Sequence, residues 1–319
     1  MFGTRLRNNQ LFYYGLLVIT MLFWGSAFVG SKISVGMVPP TVAALLRFGF
    51  ATLFMFTLIL FITKGKKEKT IPKTHLPRIA LLGLIGVALY NLLFFWGLSF
   101  SYSSDGSVMI PTSSPIVTAL LAVFFLKDKM SRKQYLGLGI CLAGGILFFA
   151  GVHNDGKLVT QRFLGDLLFL LSACCWGLYT MLGNKVLKQF SPLLVTAYAM
   201  LTGTVILFLF ALKDLSSIDW GSFDYRFWMI QLYLGIFSTA LANWFYYMGV
   251  KMIGAARASA FMYCVPVIGL FLSTTLLHET LTIAQLAGSV IMIVGVWFVN
   301  RRAKDATLKL HDKGKAIDT

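Results

Sequence analysis

Acidic side chains are scarce in this sequence. Asp and Glu together number 12 against 28 Lys and Arg, and charged residues of both signs make up 13% of the chain. That excludes an ordinary soluble domain, in which about a quarter of residues are charged. The four histidines, His75, His153, His278 and His311, lie in loops, at the ends of apolar runs or in the tail, so no histidine-based catalytic constellation is expected at membrane depth. The four cysteines, Cys141, Cys174, Cys175 and Cys264, all fall within apolar runs and show neither a disulfide framework nor metal-ligand spacing. No metal site is expected, and nothing calls for a cofactor. The absence of a P-loop argues against direct ATP drive. Long polar stretches are also missing: the longest are 63–77 and 301–319, which leave no room for a soluble catalytic domain.

What the chain has in abundance is apolar sequence: 57% of residues are hydrophobic, with a mean hydropathy of +0.77. A membrane span needs about 20 mostly apolar residues. The stretches 11–31, 40–62, 78–99, 104–126, 133–151, 164–184, 192–212, 227–250, 255–277 and 281–300 meet that need, which predicts an all-α integral membrane protein with ten transmembrane helices. A basic start followed by an apolar run also describes a signal peptide, but this run is too long and no clear A-x-A cleavage site follows, so it reads as a retained first span.

Charge sets the orientation. Lys and Arg outside the spans concentrate at 5–7, 64–78, 127–133, 185–188, 251–257 and 301–315, all on one face of the predicted topology. The other face has only Lys32, Lys157, Arg162, Lys213 and Arg226, while Arg47 lies within a span. The positive-inside rule then places both termini in the cytoplasm of a multi-pass plasma-membrane protein. The net charge of +16 does not indicate nucleic acid, because no basic cluster sits on a polar domain that could present it. The partner of these clusters is the lipid bilayer, including its anionic lipid.

The second half repeats the first at an offset of 151 to 153 residues. Trp24-Gly25 recurs as Trp176-Gly177, Gly30 and Lys32 as Gly183 and Lys185, Pro40 as Pro192, and Ala88 and Asn91 as Ala240 and Asn243. Further along, Gly97 recurs as Gly249, Ser107 as Ser259, Pro115 as Pro266, Asp128 as Glu279, and Gly137 and Gly144 as Gly288 and Gly295. Each unit holds five spans, an odd number, so the second copy starts on the opposite side of the membrane. The expected architecture is two inverted five-helix repeats, 11–151 and 164–300, followed by a basic cytoplasmic tail at 301–319.

Three features in order, two of them duplicated, resemble the drug/metabolite transporter superfamily and its EamA-type branch. They are the Trp-Gly pair with small residues after it, the Leu-Leu-Arg47-Phe run, and the block from Pro115 to an acidic residue and a Gly-rich span, echoed from Pro266 through Glu279 to Gly288. Two positions depart from the pattern. Asp128 stands where the family more often has Glu, and Ala199 occupies the repeat position of Arg47, so any Arg-specific role belongs to one half. The resemblance implies a bacterial efflux protein for an amino acid or related metabolite.

Candidate site residues follow from what is costly in a bilayer. Pro111, Pro115 and Pro266 remove backbone donors within the fourth and ninth spans, and matched interruptions in two halves of a transporter point to the substrate site; a kinked packing helix is the alternative. Ser107 and Ser259 add repeat-matched hydroxyls to the same spans. Arg47 is an intramembrane charge that can hold a substrate carboxylate. Otherwise it forms a structural ion pair, with Asp105 as candidate partner, or caps carbonyls. Asn91 and Asn243 need hydrogen-bond partners within the bilayer. Trp24, Tyr90, Trp96, Trp176, Tyr179 and Tyr246 can line an amphipathic pocket or serve as packing and interfacial aromatics. The Gly137–Gly144 and Gly288–Gly295 stripes allow close helix approach, within the chain or in a homodimer.

These features together predict a secondary transporter that moves a small-molecule solute by alternating access and performs no covalent chemistry. Two other classes compete with it: a non-transporting membrane receptor or scaffold, and an intramembrane enzyme. The inverted repeat argues against the first. The missing nucleophile-base or metal constellation argues against the second.

Overall fold

The computed structural model describes residues 2–62, 71–126, 132–151, 159–187, 189–253, 261–295 and 297–298. Among these there is no strand. The helices are α1 (Phe2–Met37), α2 (Pro40–Ile62), α3 (Lys73–Phe100), α4 (Ser103–Leu126), α5 (Arg132–Ala150), α6 (Val159–Leu187), α7 (Pro192–Leu215), α8 (225–253), α9 (Cys264–Leu276) and α10 (Ile283–Gly295). Pro40 and Pro192 open α2 and α7, where a missing N–H costs nothing and a fixed φ suits the first turn. Asp224 caps α8 by accepting from the backbone N–H groups of Arg226 and Phe227 at 3.0 and 3.2 Å.

Five helical segments among the described residues are long and apolar enough to cross a membrane: Leu11–Met37, Pro40–Phe61, Lys73–Phe100, Thr160–Gly183 and Leu193–Leu215. The distribution of side chains is that of a protein solvated by lipid. Leu11, Leu53, Leu60, Phe61, Leu142 and Phe271 are exposed, while Thr20, Ser31, Ser34, Thr52, Asn91 and Ser238 are buried. Lipid tails solvate the apolar outside, and polar groups find their hydrogen bonds inside.

The two halves of the sequence interlock. α1 packs on α8 and α9, while α6 packs on α3 and α4; α2 lies along α7 and also touches α8, while α7 touches α3. Several contacts join residues one repeat apart. Thr52 Oγ1 lies 2.9 Å from Thr204 Oγ1, the Trp24 and Trp176 rings meet edge to face at 6.3 Å, and the Cys141 thiol donates to the Met292 carbonyl at 3.5 Å. Others occur twice. A Cβ added to Gly83 would lie 2.5 Å from the Ala199 carbonyl oxygen; one added to Gly235 would lie 2.9 Å from that of Arg47. Each position is thus held to glycine by a backbone of the opposite half.

α3 and α8 each change register midway. Leu84–Leu89 in α3 and Tyr233–Leu241 in α8 are π-helical, and these stretches fall at matching repeat positions. Neither was expected from the sequence. The expectation that Pro111 and Pro115 interrupt the fourth span also needs correction, because α4 is one continuous helix through both. Its ends at Ser103 and Leu126 lie close to the expected 104–126.

The glycine stripes are used within the chain. An added Cβ at Gly288 would meet the Phe148 amide nitrogen at 2.6 Å and the Gly144 carbonyl at 2.7 Å. α5 and α10 therefore cross through these glycines, and the stripe no longer argues for a homodimer. Gly288→Ala should cost about 1–3 kcal/mol through overpacking against backbone that cannot yield. A lowered melting temperature of the detergent-solubilised protein, followed by intrinsic fluorescence, would show it.

Candidate functional site

Helices α1, α2, α3, α4, α6, α7 and α8, with residues of the α9 region, enclose a cavity of about 100 Å³ at the centre of the bundle. Eight of the residues singled out from sequence line it: Trp24, Arg47, Tyr90, Asn91, Pro111, Trp176, Tyr179 and Asn243. Phe28, Phe94, Thr196, Thr239, Met262 and Val265, which the sequence did not point to, complete much of the wall together with Ser114 of the Pro111–Pro115 run. Both halves of the chain contribute.

Arg47 enters from α2. Its Nε donates to Thr239 Oγ1 at 2.7 Å, and Nη1 reaches Ser31 Oγ at 3.4 Å. The guanidinium carbon is 5.8 Å from the centre of the Phe94 ring and 5.9 Å from that of Phe48. Among the described residues the ion pairs are Arg162–Asp105 and Arg226–Asp224, so Arg47 has no carboxylate partner there. The expectation that Asp105 partners Arg47 is therefore corrected: Asp105 is taken by Arg162, through Nε at 2.8 Å and Nη2 at 2.9 Å. A fork aimed into a cavity without a protein carboxylate retains capacity for an anion.

Aromatic rings bound the same space. Trp176 meets Tyr90 at 5.5 Å, Tyr179 at 5.7 Å and Trp24 at 6.3 Å, while Phe28 packs on Phe94 at 5.5 Å. The ring of Tyr179 lies over Gly86, where no Cβ could fit. Asn91 and Asn243 turn their amide nitrogens onto the carbonyls of Val87 and Thr239, four residues back, at 2.7 and 2.6 Å. Asn91 Oδ1 and Thr196 Oγ1 are buried and have no hydrogen-bond partner among the described residues. An unmet acceptor in a dry wall is costly unless a ligand or water meets it. The arrangement thus offers a cation, polar atoms with spare capacity and several ring faces.

The remaining candidates stand elsewhere. Trp96 is 36% exposed on the outside of α3, away from the cavity. Ser107 is buried, donates to the Ser104 carbonyl at 2.8 Å and fills the space beside Gly269, so it packs α4 against α9. Tyr246 packs against Trp24 with ring centres 5.0 Å apart and planes tilted by 46°, and donates to Met262 Sδ at 3.8 Å. Pro266 is buried next to the cavity residue Val265. Pro115 belongs to α4 but its side chain, like the whole of Ser259, lies outside the described residues.

Thr239 is the clearest omission. It positions Arg47, and its hydroxyl also contacts the Leu234 carbonyl at 2.8 Å, five residues back in the π-helical stretch. A signal was present: Ser238-Thr239 interrupts an apolar run and stands one turn before Asn243.

One end of the bundle, where α3 turns into α4, carries a second polar cluster. Glu279 accepts from the backbone N–H groups of Ser103 and Ser104, each at 2.9 Å, and so caps α4. Glu279 thereby ties the turn after α9 to the start of α4. Its repeat counterpart Asp128 lies outside the described residues.

Comparison with known proteins identifies the class. The model of the EamA-like transporter family matches this chain twice, over residues 11–150 and 163–301. The chain belongs to that family, and it is a multi-pass membrane transporter protein. It is 31% identical to the uncharacterized transporter YyaM of Bacillus subtilis strain 168, over 90% of this chain and 93% of that one. An uncharacterized transporter of Archaeoglobus fulgidus is also 31% identical, over 90% and 98%. A probable terminal-alkyne amino-acid exporter of Streptantibioticus cattleyicolor is 29% identical over 90% and 92%. One solved crystal structure shares the fold at a TM-score of 0.63, with 16% identity over 91% of this chain and 97% of its own.

Proposed function

We propose that this protein exports amino acids or closely related amphipathic carboxylates across the bacterial plasma membrane by alternating access. The observation that carries the reading is Arg47, a guanidinium on the wall of an aromatic cavity with no carboxylate partner among the described residues. A solute carboxylate would take that place. Asn91 Oδ1 and Thr196 Oγ1 would accept from the ammonium group, and ring faces would attract the cation and cover the side chain. The relative named as a probable amino-acid exporter supports the same substrate class.

In this reading ten spans form two inverted repeats with both termini in the cytoplasm. The contacts between residues one repeat apart support a two-fold relation, the odd span count supports its inversion, and the basic loops support the orientation. The paired π-helical stretches suit a hinge role. Gly83, just before the first, and Gly235, inside the second, contact the backbone of the opposite half, and each stretch leads into the Asn91 or Asn243 turn. A changed register there would swing the cavity wall without breaking the helix.

The test is uptake of a labelled amino-acid panel into inverted vesicles from cells expressing the chain. Accumulation of at least one zwitterionic amino acid above empty-vector vesicles is expected. If no member of the panel is carried by folded, membrane-inserted protein, the substrate class is wrong.

A further inference from the structure

The cavity does not account for the cluster at the α3–α4 end, and one of its carboxyls has no part in holding the helices together that a neutral group could not play. Asp105 is bound bidentately by Arg162, an arrangement that needs the carboxylate ionised. Ser101 Oγ lies 2.9 Å from Asp105 Oδ2 and 2.6 Å from Asp166 Oδ1. A hydroxyl owns one proton. If it is donated to Asp105, the shorter contact is a hydrogen bond only when Asp166 itself carries a proton and donates it to Ser101. The remaining oxygen, Asp166 Oδ2, is buried and without a hydrogen-bond partner among the described residues, as is Arg162 Nη1. That is tolerable for the carbonyl oxygen of an acid and costly for a carboxylate.

The surrounding charges point the same way. The groups facing Asp166 or its immediate neighbours are Asp105 on α4, Arg162 on α6, Glu279 after α9, Lys32 on α1, and Tyr102, whose ring lies 4.5 Å from the Arg162 guanidinium. The turn after α3 contributes the neutral Ser101 to Asp166 itself, and α10 contributes the neutral Gln285, 3.4 Å from Asp105. Among the described residues, two cations, Arg162 and Lys32, balance two anions, Asp105 and Glu279. An ionised Asp166 would leave one negative charge in excess among residues that are at most 8% exposed at Asp105, Arg162, Asp166, Ser101 and Glu279.

We propose that Asp166 is a proton-binding site and that its occupancy holds this end of the bundle shut. With the proton in place, Asp166, Ser101, Asp105 and Arg162 form one closed chain of hydrogen bonds joining α3, α4 and α6. Loss of the proton to water leaves a carboxylate facing the lone pairs of Ser101 and the charge of Asp105. Repulsion and the need for hydration then favour separation of the helices. High pH opens this end and low pH closes it. In the orientation proposed above it is the outer end, so external acid would favour the state closed to the outside. The inference rests on the transporter reading only for what the opening serves.

The test requires no solute. In the full chain with its four native cysteines replaced by alanine, Ser104→Cys places a thiol in the sealed end, leaving the backbone N–H that Glu279 caps unchanged. Tyr225→Cys serves as an exposed reference for the pH dependence of thiol reactivity itself. Labelling by a hydrophilic maleimide, divided by that of the reference, should rise between about pH 5.5 and about pH 8.5, by up to tenfold per pH unit for a single-proton switch. Asp166→Asn, which mimics the protonated acid, should hold the ratio low throughout. Should that variant fail to fold, Ser101→Ala must shift the midpoint, because it removes the hydroxyl shared by the two carboxyls. A ratio independent of pH in the parent chain overturns the proposal, as does an unchanged pH response in Asp166→Asn or an unshifted midpoint in Ser101→Ala. Gating without any transport would uphold this inference while the solute reading failed, and transport without gating would do the reverse.

Discussion

Arg47→Gln should weaken the apparent affinity for carboxylate solutes by about 10- to 150-fold, the equivalent of losing one charge-assisted hydrogen-bonded pair worth roughly 1.5–3 kcal/mol. Arg47→Lys keeps the charge and loses the planar fork, and a loss near tenfold is expected, smaller than for Gln. The geometry explains why neither change should unfold the protein. Arg47 makes two hydrogen bonds to hydroxyls, Thr239 Oγ1 and Ser31 Oγ, and no ion pair among the described residues. Amidated analogues, which lack the anion, should be carried equally by wild type and variants. KM for acid and amide, measured beside the melting temperature of each variant, separates the roles. Equal losses for both solutes together with a lower melting temperature would make Arg47 a structural residue.

Arg162→Met is expected to have the largest effect on stability, about 3–5 kcal/mol, because it strands a buried Asp105 carboxylate. The loss should appear as reduced membrane yield and a lower melting temperature. Pairing it with Asp105→Leu removes both charges, and most of the stability should return, since a dry apolar contact between α4 and α6 replaces a dry ion pair. A single Arg162→Met variant as stable as wild type would mean that water reaches Asp105, contrary to its complete burial.

The helices were readable because lipid imposes a length: an apolar run near 20 residues has few alternatives. Hence α4, at Ser103–Leu126, and α7, at Pro192–Leu215, begin close to where the sequence places them. Trp24, Arg47, Asn91, Trp176 and Asn243 were also legible, as polar or aromatic groups at repeat-matched or mid-span positions. Which face of a helix they occupy was harder to read. A helix that is apolar all round carries no moment to orient it, and Trp96 turns outward while Tyr90, on the same helix, turns in. The Asp105–Arg162 pair joins residues far apart in sequence, so no local pattern reveals it, and proximity in depth alone suggested Arg47 instead. The π-helical stretches have no residue signature, being a change of register that packing against the opposite half selects.

An anion site for amino acids at Arg47 is tested most directly by counterflow in proteoliposomes containing the purified wild-type chain, with a labelled zwitterionic amino acid compared against its own amide. Rapid exchange of the acid is expected, competed by other amino acids, with exchange of the amide slower by about the 10- to 150-fold that loss of the Arg47 contact implies. Equal exchange of acid and amide would contradict an anion site at Arg47, and exchange of neither by folded protein would contradict the amino-acid reading itself.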